Sequence, residues 1–204
     1  MTVVVPPRSV FVGVSGASGA PYALRLVQAL AAGGCDLQLS ISDSGVLVLR
    51  HELELRLGTR EAVTAEFLER AGAAARVFAP DDLAALPASG SSAPDAVVIC
   101  PCSVSTVAHV ALGTTRTLMQ RAADVALKEQ RRLVVVPRET PLTQIHLRRL
   151  LELSEAGAIV LPAMPGFYSR PQTLQDAVDH VTGKVMSALG FEQDLFPAWE
   201  GGQP

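Results

Sequence analysis

The chain has 204 residues, with 17 Lys and Arg against 20 Asp and Glu and a formal net charge of -3. This charge provides no basic surface for nucleic acid or an anionic membrane, and no apolar run approaches the ~20 residues of a membrane span. Hydrophobic residues make up 49% and aromatic residues 4%, a balance typical of a parallel sheet covered by helices. We expect one domain over residues 1–204, with 191–204 as an extended tail.

The three cysteines predict neither a disulfide framework nor a zinc site. Cys100 and Cys102 flank a proline, and Cys35 stands alone. We interpret Cys100 and Cys102 as packed, reduced thiols rather than a redox pair. Met1–Arg8 is too short for the basic and apolar parts of a signal peptide. These features predict a cytoplasmic protein without a bound metal.

Short apolar runs alternate with helical patterns along the chain. Strands are predicted at Val10–Val14, Asp36–Ile41, Arg76–Phe78, Ala96–Ile99, Leu133–Val136 and Ala158–Leu161. Helices are predicted over Tyr22–Ala31, Ser44–Leu53, the region Gly58–Ala75, Thr117–Glu129, Gln144–Glu155 and Thr173–Leu189. Such alternation predicts a doubly wound sheet whose loops gather at one edge.

The first strand runs into a loop of small residues, Ser15-Gly16-Ala17-Ser18-Gly19-Ala20-Pro21. Small residues let the backbone approach a ligand, and the N–H groups and dipole of the following helix favour a phosphate. The spacing is neither G-x-G-x-x-G nor the Walker pattern, so a tight structural turn is the alternative. Ser42, after the second strand, is either a hydroxyl facing a ligand or a helix cap. His51 is expected to be partly buried.

A second polar turn, Cys100-Pro101-Cys102-Ser103-Val104-Ser105-Thr106, follows the strand Ala96–Ile99. Its hydroxyls and the start of a helix suit a bound polar group, whereas Ser103 alone also suits a helix cap, and the two roles can coexist. The earlier segment Pro87–Pro94 has the composition of a loop that carries a ligand or is simply flexible.

The stretch Arg131–His146 places charges at the end of a central strand. Leu133–Val136 is wholly apolar, Pro137 ends the strand, and Arg138 and Glu139 follow immediately. Open α/β sheets bind ligands at this position, although a surface ion pair is the alternative. Arg121 and Lys128 are seven residues apart and therefore lie close to one face of a helix. The default interpretation of these two charges is that they are exposed to solvent. Two prolines and a glycine in the loop 162–168 would present Tyr168.

Six stretches resemble the flavin prenyltransferases of the UbiX/Pad type, within the wider family of FMN-binding flavoproteins. They are Ser15–Ala20, Ala88–Ser92, Pro101–Ser103, Arg121–Glu129, Pro137–Pro141 and Pro165–Tyr168, and they span nearly the whole chain. The resemblance implies a Rossmann-like (flavodoxin-like) three-layer α/β sandwich with a central parallel sheet that binds FMN and assembles into a homododecamer. It also implies the reaction: a dimethylallyl group from dimethylallyl phosphate is joined to N5 and C6 of reduced FMN, and the prenylated FMN serves a UbiD-type decarboxylase.

The resemblance implies site residues as well. FMN would be held by Gly16, Ala17, Ser18, Ser42, Ser103, Val104, Ser105, Thr106 and Arg138. Dimethylallyl phosphate would meet Glu52, Arg121, Lys128, Arg138, Glu139, Tyr168 and Lys184, supplied by more than one subunit. Lys184 departs from the family, in which Arg is usual at this position. Lysine binds phosphate as a point charge without the bidentate fork, which bears on donor affinity and on the choice between phosphate and diphosphate.

The residue types suit this chemistry without a metal, and we assign Ser18, Glu52, Glu139 and Trp199 as catalytic. An allylic phosphate leaves readily when fixed cations and a proton donor such as Tyr168 meet its developing charge. Ring closure at flavin C6 needs a base, either Glu139 or the released phosphate relayed by Ser18. Trp199 could offer the allyl cation an aromatic face. The tail Leu195-Phe196-Pro197-Ala198-Trp199 has three large apolar side chains that we expect cannot be covered locally, so it would cross onto a neighbour or close over the site.

Two other functions stay open at this point. The first is an FMN-dependent peptidyl or pantothenoyl-cysteine decarboxylase of the same fold, which is expected to carry a catalytic His in the first half and a Pro-Ala-Ser-Ala-Asn turn. Here the corresponding turn is Pro101-Cys102-Ser103, and His51 lies on a different stretch. The second is a non-catalytic flavin-binding subunit. In such a protein Glu139 would have no special role and would be an ordinary acidic residue on the surface.

Overall fold

The structure, a computed structural model, describes residues 5–56, 58–197 and 201. Its strands are β1 Ser9–Val14, β2 Asp36–Ile41, β3 Arg76–Val77, β4 Ala96–Cys102, β5 Arg132–Pro137 and β6 Ile159–Val160. Its helices are α1 Ala20–Ala32, α2 Asp43–Glu52, α3 Arg60–Ala71, α4 Val104–Ala111, α5 Leu118–Lys128, α6 Gln144–Glu155 and α7 Leu174–Leu189. A short 3-10 turn, Leu86–Ala88, precedes β4.

The strands form one sheet in the order β3-β2-β1-β4-β5-β6, and every neighbouring pair is parallel. The order reverses direction between β1 and β4, which is the switch point at which doubly wound sheets bind ligands. Helices cover both faces, so the predicted three-layer α/β sandwich is confirmed. The central strands β1 and β4 are almost wholly buried, as expected for strands covered on both faces.

Two apolar cores hold the layers together. One joins β-strand side chains such as Val12 and Val134 to α1, α2, α3 and α7, and Leu26 and Phe67 are among its fully buried members. The other joins the opposite face to α4, α5 and α6. Alternate residues of each strand point to opposite faces, which is why Phe11 belongs to the second core and its neighbour Val12 to the first.

The predicted elements are present, with differences at their ends. β4 runs on through Cys102, beyond the predicted end at Ile99, and Pro137 is the last residue of β5 rather than the residue that follows it. Helix α3 is shorter than the region Gly58–Ala75, because Gly72 adopts a left-handed conformation (φ 59°) that ends it. Cys100 and Cys102 are buried free thiols, and burial raises the pKa of Cys100 to about 12.

Candidate active site

Residues at the carboxyl ends of four neighbouring strands line up along one edge of the sheet, which we call the carboxyl edge. Ser42 follows β2, Ser15 follows β1, Ser103 follows β4 and Arg138 follows β5. The parallel sheet thus gathers the loops predicted to bind a ligand.

Ser15 links the two loops at the switch point. Its hydroxyl donates to the Pro101 carbonyl at 2.8 Å and accepts from the Ser103 backbone N–H at 2.7 Å. The sequence patterns predict no separate role for Ser15. The only sequence signal for this role is a hydroxyl directly after a buried strand. The partners of Ser15 lie 86 and 88 residues further along the chain, so local sequence does not identify them.

The hydroxyls of Ser42 and Ser103 cap helices. Ser42 Oγ accepts from the Gly45 N–H at 3.0 Å, and Ser103 Oγ accepts from the Thr106 N–H at 3.2 Å. The capping interpretation is therefore correct for both residues. Gly16 lies against the start of α2, where a Cβ on residue 16 would come within 2.5 Å of Ser44 Cβ. Glycine at this position is required by the packing of β1's loop on α2.

The N–H groups that begin α1 are bound to a carboxylate of this same chain. Glu52 Oε2 accepts from Gly19 N and Ala20 N, each at 2.8 Å. The first loop was expected to present these groups to a phosphate; instead, Glu52 already binds them. Burial raises the pKa of Glu52, but hydrogen bonds from Ser18, Gly19 and Ala20 and the charge of Arg138 outweigh it and lower the pKa below 4.5.

A cavity of about 740 Å³ opens at the carboxyl edge. It brings together the predicted site residues Ser18, Glu52, Arg138 and Glu139. Its other lining residues come from α1, α2 and α7 and from the loops that follow β5 and β6: Gly19, Pro21, Tyr22, His51, Pro137, Thr140, Ala163, Met164, Leu174 and Val178. The cavity therefore combines a few polar groups with apolar walls, as ligand pockets usually do.

Tyr22 and His51 also line this cavity, although the sequence patterns predict no role for either residue there. Burial and the neighbouring Cys100 raise the pKa of Tyr22, while Arg138 opposes this rise. The positive charge of Arg138 thus acts to lower the pKa of both Tyr22 and Glu52. His51 was expected to be partly buried, but its side chain is exposed. His51 and Glu52, the last two residues of α2, both line the cavity.

Arg121 and Lys128 lie on α5, away from the cavity. Arg121 donates to the Ala88 carbonyl at 3.2 Å and pairs with Asp124 at 2.8 Å. Lys128 pairs with Glu129 beside Gly90, where a Cβ would lie 3.0 Å from Lys128 Nζ. Both cations thus border the loop Ala88–Ser92. The default interpretation was that Arg121 and Lys128 are solvated. It did not predict their ion pairs with Asp124 and Glu129.

Tyr168 and Lys184 lie in a third group, around α7. Tyr168 Oη is 3.2 Å from His180 Nε2, and Lys184 Nζ is 5.3 Å from the centroid of the Phe196 ring. Neither residue is among the described residues that line the cavity. One chain therefore distributes the predicted donor-binding residues over three places.

The beginning of the tail packs on its own chain. Leu195 is partly buried against the first core, and the Phe196 ring lies 4.6 Å from the ring of His180. The expectation that these apolar side chains cannot be covered locally is wrong for Leu195 and Phe196. Trp199, predicted to face the allyl group, lies outside the described residues.

Within the described residues, no group of three or more His, Cys, Asp and Glu side chains is arranged to hold a metal ion. The helices of this same part of the chain include none with the length and apolar character needed to cross a membrane.

Residues 5–187 match the Flavoprotein family. The chain is 47% identical over 197 residues to the flavin prenyltransferase UbiX of Pseudomonas aeruginosa, covering 95% of this chain and 94% of the relative. The chain belongs to the flavoprotein family, among its flavin prenyltransferases.

Solved structures of such flavoproteins superpose over nearly the whole chain. AnUbiX in complex with FMN and dimethylallyl pyrophosphate is 33% identical with a TM-score of 0.86, covering 97% of this chain and 100% of that one. A dodecameric FMN-dependent UbiX-like decarboxylase from Escherichia coli O157:H7 is 39% identical with a TM-score of 0.82, covering 95% and 99%. The resemblance drawn from the loop motifs to this family is therefore confirmed.

Proposed function

We propose that this chain joins the dimethylallyl group of dimethylallyl phosphate to N5 and C6 of reduced FMN and passes the prenylated FMN to a UbiD-type decarboxylase. The observation that carries the proposal is the cavity in which Ser18, Glu52, Arg138 and Glu139 meet apolar walls. Reduced FMN supplies the nucleophilic ring positions that take up the allyl group. The chain's residues bind, orient and exchange protons around it.

The residues present fit FMN. A cavity of about 740 Å³ is of the size that holds a small organic ligand, and its apolar walls suit a flat ring and a prenyl group. Arg138 and the starts of α2 and α4 offer positive charge and N–H groups to a phosphate. The residues assigned to FMN are Gly16, Ala17, Ser18, Ser42, Ser103, Val104, Ser105, Thr106 and Arg138.

Two carboxylates at the cavity have different roles in this proposal. The lowered pKa of Glu52 makes it a weak base, so we assign to it the orientation of Ser18, whose hydroxyl bonds to it. Glu139 is exposed at the cavity and is free of any ion pair within the described residues. We assign to Glu139 the base that accepts the proton released on ring closure.

The phosphate of the donor would meet cations from more than one subunit. Lys128 ends α5 shortly before β5 begins, whereas Arg138 directly follows β5. A six-residue strand separates these positions by about 20 Å. Lys128 therefore cannot share a phosphate with Arg138 of its own chain. We infer that a neighbouring subunit contributes Arg121 and Lys128, while Tyr168 and Lys184 add further donors.

An apolar helix surface supports assembly into a homo-oligomer, which we propose to be a dodecamer. In α6 only Leu153 is buried, while Leu147 and Leu151, which lie one turn apart on the same face of the helix, are 52% and 59% exposed. Exposed apolar clusters of this kind usually mark contact surfaces. We also propose a cytoplasmic location, supported by the three free cysteines.

One assay tests the reaction. Purified protein is incubated anaerobically with reduced FMN and dimethylallyl phosphate, and the mass of the extracted flavin is measured. The proposal expects the mass of prenylated FMN, with release of phosphate. Unchanged FMN would reject the proposal. Conversion of a cysteine-containing peptide or of a pantothenoyl cysteine instead would favour the cysteine decarboxylase alternative.

A further inference from the structure

The side chain of His180 on α7 connects two parts of the loop that carries Tyr168. His180 is 4% exposed. Its Nδ1 lies 3.2 Å from the backbone nitrogen of Gly166, and its Nε2 lies 3.2 Å from Tyr168 Oη. The rings of His180 and Tyr168 meet edge to face, with centroids 5.5 Å apart and an interplanar angle of 77°.

The backbone contact determines which ring nitrogen carries the proton. The Gly166 N–H can only donate, so Nδ1 of His180 must accept and carries no hydrogen. A neutral imidazole then has its hydrogen on Nε2, which donates to Tyr168 Oη. Burial, followed by the charge of Lys184, lowers the pKa of His180 below 6.5, which favours this neutral form.

This arrangement directs the hydroxyl of Tyr168. Because Tyr168 Oη accepts from His180, its own hydrogen is donated to an acceptor other than His180. Gly166 packs closely on both side chains, since a Cβ at this position would lie 2.8 Å from the Tyr168 ring and 3.1 Å from His180 Nε2. Phe196 covers His180 with its ring 4.6 Å away, and Lys184 lies over Phe196.

We propose that His180 is a positioning residue that holds the Tyr168 hydroxyl as a hydrogen-bond donor toward the phosphate of the prenyl donor. Phosphate oxygens of a dianion only accept hydrogen bonds, so a tyrosine fixed as a donor binds them better than one free to rotate. The inference rests on the role of Tyr168 in the proposed function and assigns to His180 a role of its own.

The variants separate the two contacts of the imidazole. His180→Phe keeps the ring but removes both polar contacts. His180→Gln can place an amide N–H near the position of Nε2 and keep the donor to Tyr168. His180→Asn can place a carbonyl near Nδ1 and keep only the contact with Gly166. Thr182→Val is the matched control, because Thr182 is a buried polar residue on α7 whose hydroxyl has no partner within the described residues.

The binding of dimethylallyl phosphate to the oligomer loaded with oxidised FMN is measured by calorimetry, and FMN affinity by flavin fluorescence. We expect His180→Phe and Tyr168→Phe each to raise the donor Kd by about 10-fold, the loss of one charge-assisted hydrogen bond. The double variant should lose no more than either single variant, since both remove the same interaction. His180→Gln should recover most of the affinity and His180→Asn little, with FMN affinity unchanged throughout and Thr182→Val like the unmodified protein.

Four results would overturn the inference. Additive losses in the double variant would mean that His180 does not act through Tyr168. Equal losses in all three His180 variants, accompanied by weaker FMN binding, would mean that His180 only supports the fold. An effect of Tyr168→Phe with none of His180→Phe would reject the inference and leave the proposed function intact. Tyr168→Phe without effect would reject the role of Tyr168 as well.

Discussion

Glu52 Oε2 lies 2.8 Å from the backbone nitrogen of Gly19, 33 residues earlier in the chain. Gly19 is the N-cap of α1 and has no side chain with which to cap it. The carboxylate at the end of α2 supplies the missing acceptor, and the helix dipole favours its negative charge. Because Glu52 also lines the cavity, the same group stabilises α1 and shapes the candidate site.

Glu52→Gln tests this dual role through stability. The folded-state pKa of Glu52 is lowered, so its ionised form adds stability above the unfolded pKa of ~4.3, and this stability is lost as pH falls through the folded pKa. We expect the variant to lose about 1 kcal/mol at pH 7, discounted for the group's partial exposure, and to approach the unmodified protein at acidic pH. Denaturant unfolding at fixed protein concentration measures both, with the exposed Glu69→Gln as control. A loss that is the same at every pH would contradict the role of the charge.

Glu139→Gln tests the assignment of the base. The amide retains an oxygen that can accept from the Thr140 N–H, as Glu139 Oε1 does at 3.0 Å, so the loop should keep its form. FMN binding should be nearly unchanged, while product formation slows on the order of 100-fold or more. Single-turnover kinetics with mass detection of the flavin gives the rate. If the variant turns over at the original rate, Glu139 is not the base and is only an acidic residue on the surface.

Mixed oligomers test whether the site is shared between subunits. Arg138→Ala and Lys128→Ala chains should each be nearly inactive, but oligomers assembled from both by co-expression should recover up to about one quarter of full activity, the share of sites with both residues intact. The control pairs Arg138→Ala with Glu139→Gln, whose lesions fall in the same cavity of each chain. That mixture should not recover. Absence of recovery in the first mixture would mean that Lys128 and Arg138 act within one chain or that Lys128 has no role.

Lys184→Arg tests the residue that departs from the family pattern. Lys184 Nζ lies 5.3 Å from the Phe196 ring centroid, and a guanidinium can keep this stacking while adding bidentate contacts to phosphate. We expect the KM for dimethylallyl phosphate to fall a few-fold, with little change in kcat. Lys184→Met, which removes the charge, should raise the same KM. Parallel measurements with the diphosphate show whether position 184 sets the choice between the two donors. Equal KM values for all three proteins would remove Lys184 from the donor site.

Deletion of residues 195–204 tests the tail as a cover over the site. Phe196 lies against His180, so its loss should loosen the loop that holds Tyr168 and admit water to the allyl group. FMN binding should persist, while the yield of dimethylallyl alcohol rises relative to prenylated flavin. The two products are quantified by chromatography of the same reaction. A truncated protein that makes prenylated flavin as cleanly as the full chain would reduce the tail to a packing or assembly segment.

The sequence by itself determined the alternation of strands and helices and the loops that carry the chemistry. Val10–Val14 and Leu133–Val136 are recognisable as buried strands because apolar, β-branched runs depend on near neighbours alone. The caps Ser42 and Ser103 follow from the same local rules. Since parallel strands all end at one edge, the positions of Ser18 and Arg138 near each other also followed from the order of elements.

Only the tertiary structure decided which side chains meet. Glu52 reaches the start of α1, Ser15 joins two loops, and His180 binds Tyr168, although no periodic pattern links these residues. The tertiary structure also placed Lys128 and Arg138 at opposite ends of β5. The sequence motifs alone do not show that these two residues are far apart. Local propensities depend on residues a few positions apart, whereas hydrogen bonds across the fold depend on how helices pack on the sheet, which brings residues distant in sequence within 3 Å.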